Sequence, residues 1–159
     1  MENNGSYLDL MIDSLNKKIH LLEKIQEVNV HQKQIVSDAR FEMEELDATV
    51  EEKGRYIDEI NKLDDGFETL YERVREALQE NKSQYSQQIS VMQKLIQRVV
   101  ELSASIEAEE KRIKAGVENQ FSRVKQAVKE TRKNSRAVSN YYKNMTKLDS
   151  ELQFMDKKK

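Results

Sequence analysis

The chain contains side chains that could do acid–base or metal chemistry, but their spacing does not build a reactive site. His20 and His31 are the two histidines, and eleven residues separate them, so on a helix they lie on a similar face about three turns apart. They are too far apart to hold one metal ion. The absence of a Glu-x-x-His pair excludes the ligand pattern of di-iron bundles. The absence of cysteine excludes thiol catalysis and thiolate metal sites.

Carboxylates and glycines also lack the arrangement that catalysis or nucleotide binding needs. The glycines are isolated, so no phosphate-binding loop is present. Adjacent carboxylates point in different directions on a helix and nothing apolar in the sequence encloses them, which applies to the pairs Glu44–Glu45, Glu51–Glu52 and Glu109–Glu110. The sequence therefore predicts no catalytic, cofactor-binding or metal-binding residues. The protein is predicted not to be an enzyme.

An apolar stripe at helical spacing runs through almost the whole chain. The composition is 35% charged and 37% hydrophobic, with no proline, and this is typical of helical bundles and coiled coils. Lys53 and Asp64 interrupt the clearest part of the stripe, which consists of Met43, Leu46, Val50, Ile57, Ile60, Phe67, Tyr71, Val74 and Leu78. The prediction is an all-α fold, an elongated antiparallel bundle or coiled coil of three helices, or four, with a long C-terminal helix.

Polar residues and changes of apolar phase predict where the helices begin and reverse. Ser6 and Asp9 resemble a capping box that would begin the first helix. Reversals are predicted near Ser37 to Arg40 and near Gln79 to Gln84, where polar residues coincide with a loss or shift of the stripe. The apolar phase is the same on both sides of the segment from Asp64 to Gly66, which favours a kink or a short interruption there over a reversal.

The third helix carries a new apolar phase and is predicted to be the longest. At about 1.5 Å per residue the three helices would measure roughly 46, 60 and 85 to 90 Å, so the third would project beyond its neighbours with an uncovered seam. Ser103, Glu110 and Gln120 are polar gaps that should weaken this seam, which consists of Tyr85, Ile89, Met92, Ile96, Val99, Ile106, Ile113, Val117 and Val124.

A last amphipathic stretch follows the polar interval from Thr131 to Arg136. We therefore divide the chain into a helical bundle at residues 1–140 and a flexible amphipathic tail at residues 141–159. An apolar helical face in this position suits the binding of a partner helix, and methionine suits a surface that adapts to its partner. The predicted partner-binding residues are Val138, Tyr141, Tyr142, Met145, Leu148, Leu152, Phe154 and Met155.

The charge is distributed unevenly along the chain. Residues 111–159 carry 14 Lys and Arg against 5 Asp and Glu, a net charge of +9, which leaves −11 for residues 1–110. The basic residues alternate with apolar ones and form no arginine-rich cluster, so they favour contact with acidic helices over nucleic acid. No run approaches the roughly 20 apolar residues of a membrane span, and the start lacks a secretory pattern. We expect a cytoplasmic protein that binds no nucleic acid and does not insert into membranes.

Several short motifs carry a resemblance to a known family. They are Glu51-Glu52-Lys53 at the start of the most periodic part of helix two, the long third helix, and Tyr141-Tyr142 before the closing segment Phe154 to Lys159. With these motifs the whole chain resembles the FlgN family of flagellar export chaperones, and its tail is similar to those of the Gram-positive, clostridial-type members. It lacks the glycine that often follows the family's tyrosine.

The resemblance implies a function without catalysis. It implies a cytoplasmic chaperone that holds unassembled hook–filament junction (hook-associated) proteins by their C-terminal helices and delivers them to the type III export apparatus. It also implies that Tyr142, or its neighbour Tyr141, contacts the export-gate membrane protein. The alternative is a self-associating coiled-coil scaffold, in which a second copy covers the exposed seam and the protein is a homodimer.

Overall fold

The structure is a computed structural model and describes residues 4–123, 139–140 and 143. It contains three α-helices, which are α1 (Asn4–Ser37), α2 (Met43–Glu80) and α3 (Ser86–Arg123). The described residues contain no β-strand. The predicted all-α bundle is confirmed, and the short connections at residues 38–42 and 81–85 make consecutive helices antiparallel.

Both reversals occur where the sequence predicts them. After α1, the backbone N–H of Arg40 donates to Asp38 Oδ1 at 2.9 Å, and this local bond competes with continuation of the helix. After α2, the backbone N–H and the side-chain amide of Asn81 both donate to the carbonyl of Ala77, at 3.0 and 3.2 Å. Between these turns α2 continues as a helix through Asp64 to Gly66, so there is no reversal there, as predicted, and the predicted short interruption does not occur. The unchanged apolar phase therefore outweighs the helix-breaking tendency of the glycine.

The predicted capping box at Ser6 is wrong. Ser6 lies inside α1, because Asn4 and Gly5 are already helical. The carboxylate of Asp9 has a different role, since its Oδ1 accepts a hydrogen bond from Gln88 Nε2 of α3 at 2.8 Å. The same Gln88 nitrogen also lies 3.0 Å from the carbonyl oxygen of Gly5. Asp9 therefore helps to attach α3 to α1.

Helix α1 is the central element of the bundle. Its backbone approaches both α2 and α3, whereas no Cα atom of α2 comes within 8 Å of a Cα atom of α3. Side chains from all three helices fill the space between them, and fully burying a Leu, Ile, Val or Met contributes roughly 1.5–3 kcal/mol. The main apolar cluster comprises Leu8, Met11, Leu15, Leu21, Leu22, Ile25, Ile57, Ile60, Phe67, Val74, Met92, Ile96, Val99, Leu102 and Ile106.

The prediction that the seam of α3 overhangs the bundle is wrong as far as Arg123. The described α3 has 38 residues, the same as α2, and does not exceed its neighbour. Ile113 and Val117 are buried in a second cluster with Ile35, Val36 and Leu46. The first reversal brings the end of α1 and the start of α2 beside this part of α3. Val124 and the predicted extension beyond it lie outside the described residues.

Candidate functional site

The predicted partner-binding surface lies outside the part of the chain that the structure describes. The same applies to the predicted tail at residues 141–159 except for Lys143. Around it, Ser139, Asn140 and Lys143 are helical, and Asn140 and Lys143 are exposed. The eight predicted residues therefore remain a prediction from the sequence: Val138, Tyr141, Tyr142, Met145, Leu148, Leu152, Phe154 and Met155.

The remaining chemistry-bearing residues do not converge on an open site. His20 and His31 are exposed on α1, as are Glu44, Glu45 and Glu51 on α2. Within the described ranges no three His, Asp or Glu side chains are grouped so that they could hold a metal ion. None of the three described helices is both long enough and apolar enough to cross a membrane.

The most unusual group in the described part of the chain is a buried set of polar residues around Lys53, called here the Lys53 cluster: Asn29, Gln32, Lys53 and Glu110. Lys53 is 1% exposed and Glu110 is 2% exposed. The Lys53 ammonium donates to Asn29 Oδ1 at 2.8 Å, to Gln32 Oε1 and to Glu110 Oε1. One side chain of α2 is thus bonded to both other helices.

The two amides of α1 are hydrogen-bonded through both of their polar atoms. Gln32 accepts from Lys53 and donates through Nε2 to Thr49 Oγ1 at 2.9 Å, and Thr49 in turn donates to the carbonyl of Leu46. Asn29 donates through Nδ2 to Glu109 Oε1 at 3.4 Å. Because buried polar groups are costly when they lack partners, this mutual satisfaction allows the cluster to occupy the core.

Two opposing effects act on the pKa of Lys53. Burial penalises the charged ammonium and lowers the pKa from its ordinary 10.5 to about 8. The neighbouring carboxylate of Glu110 favours the ammonium by charge and by its hydrogen bond, and Glu109 adds a smaller attraction. Desolvation therefore exceeds the attraction of the carboxylates, and Lys53 holds its proton less tightly than an exposed lysine does.

A second buried ion pair joins α1 to α2. Lys18 Nζ bonds to Asp64 Oδ1, and their side chains are 2% and 8% exposed. The sequence pattern shows Lys53 and Asp64 as interruptions of the α2 stripe and Glu110 as a polar gap in the α3 seam, whereas Lys18 was missed. A signal was available, because Lys18 lies three residues after Leu15 and four before Leu22 on one apolar face.

The geometry of the two buried ion pairs suits the attachment of helices to one another. The Lys53 cluster is closed to solvent, and its charged groups face each other across the core. A buried pair bonds strongly only in one register, so Lys18 with Asp64 fixes α2 against α1, while Lys53 with Glu110 fixes α3 against α2.

Other polar contacts hold α3 along α1. Gln88 bonds to Asp9 at one end, and Gln120 Nε2 donates to the carbonyl of Val36 at 3.0 Å at the other. Gln120, predicted as a gap, thus satisfies a carbonyl in the last turn of α1. Ser103, a further predicted gap, is 1% exposed, and its Oγ has no hydrogen-bond partner among the described residues.

Comparison with known proteins returned no match: no protein-family model, no curated protein and no solved structure matches this chain.

Proposed function

We propose that this chain is a helical binding protein that captures an apolar helix of another protein through its C-terminal stripe. The supporting observation is that the bundle of α1, α2 and α3 forms its own core from residues 8–117, with apolar residues from all three helices buried together. In the sequence, the stripe from Val138 to Met155 follows the seams that contribute these buried residues. A bundle that already has a core can carry a further amphipathic segment for a partner.

The specific role that we propose is that of a FlgN-type export chaperone in the cytoplasm. It holds unassembled hook–filament junction proteins by their C-terminal helices and delivers them to the flagellar type III export apparatus. Tyr141 or Tyr142 contacts the export-gate membrane protein. The support for this role is the resemblance of the whole chain, together with the all-α bundle that this resemblance implies.

The test is a binding measurement with a defined client. A peptide of the C-terminal helix of a hook–filament junction protein from the same cell is titrated into the full chain by calorimetry. Burial of an apolar helix should give a negative heat-capacity change and little dependence on salt. Leu148→Asp places a charge on the stripe and should reduce affinity at least tenfold, whereas Ser150→Asp adds the same charge off the stripe and should leave affinity unchanged.

Different outcomes separate this function from its alternatives. No heat on titration, or equal weakening by Leu148→Asp and Ser150→Asp, would reject capture of the client by the stripe. A molecular mass in solution of twice 18.7 kDa that Leu148→Asp returns to the monomer would support the self-associating scaffold instead. Affinity for nucleic acid that falls steeply with salt would point to the basic C-terminal region as a nucleic-acid surface.

A further inference from the structure

The three described helices leave one side of the bundle open, between α2 and α3. Helix α1 lies against both of them, but no Cα atom of α2 comes within 8 Å of a Cα atom of α3. Two helices whose axes are about 8–10 Å apart, the usual distance for direct packing, bring Cα atoms closer than this. Diagonal helices of a four-helix bundle have the relation that α2 and α3 have here. The fourth corner of such a bundle is the space opposite α1, called here the α2–α3 channel.

Contacts with α1 show which side of each helix faces away from the channel. On α2, Arg73 Nη1 donates to the hydroxyl of Tyr7 at 3.4 Å, so positions in line with Arg73 lie on the α1 side. On α3, Gly116 lies against Val36 of α1. Since each residue advances about 100° around a helix, the other edge of each buried stripe faces the channel.

The channel is bordered by apolar side chains and by a line of acidic ones. Near the turn between α1 and α2, its lining includes Met43 and Val50 of α2 and Phe121 of α3, which are half-buried. The acidic line runs along the channel side of α2 at seven-residue spacing, and all its members are exposed: Glu44, Glu51, Asp58, Asp65 and Glu72. An apolar strip beside an acidic line suits an amphipathic helix that carries basic residues.

The charges of the elements indicate that the chain's own C-terminal segment is the complementary part. Helix α2 has a net charge of −8, whereas α1 has 4 basic and 4 acidic residues and α3 has 6 basic and 5 acidic residues. Residues 124–159 carry 10 Lys and Arg against 4 Asp and Glu, a net charge of +6. The strongly acidic helix and the strongly basic segment therefore attract each other.

We propose that residues 144–159 dock in the α2–α3 channel as a fourth helix, antiparallel to α3. The described α3 ends at Arg123, beside the turn between α1 and α2, and 36 of the 159 residues follow it. The described residues between 139 and 143 are helical. A reversal in the polar interval from Thr131 to Arg136 returns the chain along α3, as the short connections do for the other consecutive helices.

This reversal also sets the level at which the segment docks. A helix of 16 residues is about 24 Å long. The stripe from Met145 to Met155 then lies beside the last turns of the described α3, where the channel has its apolar lining. The closing lysines, Lys157 to Lys159, come level with Glu110, which bonds to Lys53 of α2. That level of α2 lies between two carboxylates of the acidic line.

Docking and capture of a client use the same stripe. A client helix therefore displaces the segment from the channel when it binds, and the bound and docked forms are two populations of one chain. This competition rests on the proposed function, whereas the docking does not. Because the channel offers few apolar side chains at this level, the docking is weak, and removing the segment leaves the bundle folded.

Cross-linking between two introduced cysteines tests the docking, because the chain has no cysteine of its own. In Val50→Cys with Gln153→Cys, one thiol lies in the channel and the other beside the stripe. In Gln34→Cys with Gln153→Cys, the first thiol is exposed on α1, which lies opposite the channel. A short bis-maleimide should link the first pair within one chain at least tenfold faster, after division by the rate at which each thiol reacts with a simple maleimide.

Two results of this experiment would overturn the docking. Equal rates for the two pairs would mean that the segment does not prefer the channel. Links that join two chains, with a rate that rises with protein concentration, would assign the channel to a second copy of the chain.

Charge reversal on α2 tests the side on which the segment lies. In the chain with Val50→Cys and Gln153→Cys, Glu51→Lys with Asp58→Lys reverses two charges of the acidic line and should slow the link about two- to fivefold at low salt. Glu45→Lys with Glu59→Lys makes the same change in line with Arg73, on the α1 side, and should leave the rate unchanged. Equal slowing by both double substitutions would contradict placement in the channel.

The client peptide separates docking from capture. At a concentration that saturates binding in calorimetry, the peptide should slow the link between Val50→Cys and Gln153→Cys at least tenfold. A peptide that binds without slowing the link would overturn the shared use of the stripe. A peptide that does not bind rejects the proposed function, while fast linking of this pair in its absence still supports the docking.

Discussion

At the scale of single residues, the buried ion pairs fix the arrangement of the helices without adding much stability. Removing two charges from water costs several kcal/mol per ion, and their attraction in the core often does no more than balance that cost. The lowered pKa of Lys53 shows that the cost is not fully recovered here. A different register of the helices would leave a buried charge without its partner. The main effect of the two ion pairs is therefore to destabilise alternative registers.

The first prediction contrasts the loss of one charge with the loss of both. Glu110→Met leaves the Lys53 ammonium without its carboxylate and should reduce the free energy of unfolding by about 3–5 kcal/mol. Lys53→Met with Glu110→Met replaces the pair by apolar side chains and should leave stability unchanged or raise it by roughly 1–4 kcal/mol. Denaturant unfolding at pH 7 measures both. A double variant that is weaker than the single one would contradict this account.

The sequence revealed the positions of these charges but not their pairing. Lys53 and Asp64 occupy apolar positions of the α2 stripe, so periodicity alone indicates that both face the core. Periodicity does not indicate the partner, because Lys53 and Glu110 are 57 residues apart and meet only when two reversals bring three helices together. Periodicity also does not identify Asn29 and Gln32 as buried partners of Lys53, because amide side chains are mostly exposed in proteins.

At the scale of helices, the glycines show how contact with a neighbour changes the effect of a substitution. A Cβ atom at Gly54 or Gly66 meets nothing within 4 Å, whereas at Gly116 it would lie 2.7 Å from Val36 Cγ1. Glycine inside a helix is less favourable than alanine by about 1 kcal/mol. Gly116 is therefore explained by the close approach of α3 to α1, while Gly54 and Gly66 have no comparable constraint.

The second prediction follows from these contacts. Gly66→Ala should raise the free energy of unfolding by about 0.5–1 kcal/mol, because it adds helix propensity at an open position. Gly116→Ala adds the same propensity but displaces Val36, so it should give no gain or a loss. Combining Gly116→Ala with Val36→Ala should recover part of that loss if the clash is its cause. Thermal or urea unfolding of the four chains provides the comparison.

The third prediction concerns what stabilises α2. Ile57 is fully buried and Glu51 is exposed on the same helix. Ile57→Ala removes packing from the core and should cost about 2–5 kcal/mol, whereas Glu51→Ala should change stability by at most about 0.5 kcal/mol. Equal losses in the two variants would mean that surface charges contribute as much as the apolar seam.

At the scale of the whole molecule, the fold was predictable as far as local pattern determines it. The composition and the stripe gave the all-α class, and both reversals lie where polar residues and changes of phase coincide. The overhang of α3 was wrong as far as Arg123 because helix lengths alone do not show which elements lie side by side. Ile106, Ile113 and Val117 are covered by α1 and α2 once the reversals are made.

The charge distribution also has a structural origin. Helix α2 carries 13 acidic and 5 basic residues, a net charge of −8, and therefore accounts for most of the negative charge of residues 1–110. Ten of its acidic side chains are exposed. Exposed charges of this kind contribute about 0–1 kcal/mol per pair, so they favour solubility more than stability. The stability of the molecule depends instead on the two apolar clusters.

The final prediction uses the position of these clusters to separate folding from binding. Among the described residues their last buried member is Val117, so a chain that ends at Asn140 retains every described side chain of both cores. Its melting temperature should change by less than about 3 °C, which corresponds to roughly 1 kcal/mol for a domain of this size. The same truncation removes seven of the eight predicted partner-binding residues and should abolish binding of the client helix in calorimetry.

A chain that ends at Lys111 is the contrasting truncation. It loses Ile113 and Val117 from the second cluster, and it loses Gln120, which bonds to the carbonyl of Val36 in the last turn of α1. Losing two buried aliphatic side chains should remove several kcal/mol, a large part of the 5–15 kcal/mol that holds a typical domain together. It should therefore melt far below the full chain. If the chain ending at Asn140 melts as early as the chain ending at Lys111, the residues after Asn140 are part of the folded core. If the chain ending at Asn140 still binds the client helix, the binding surface lies on the bundle itself.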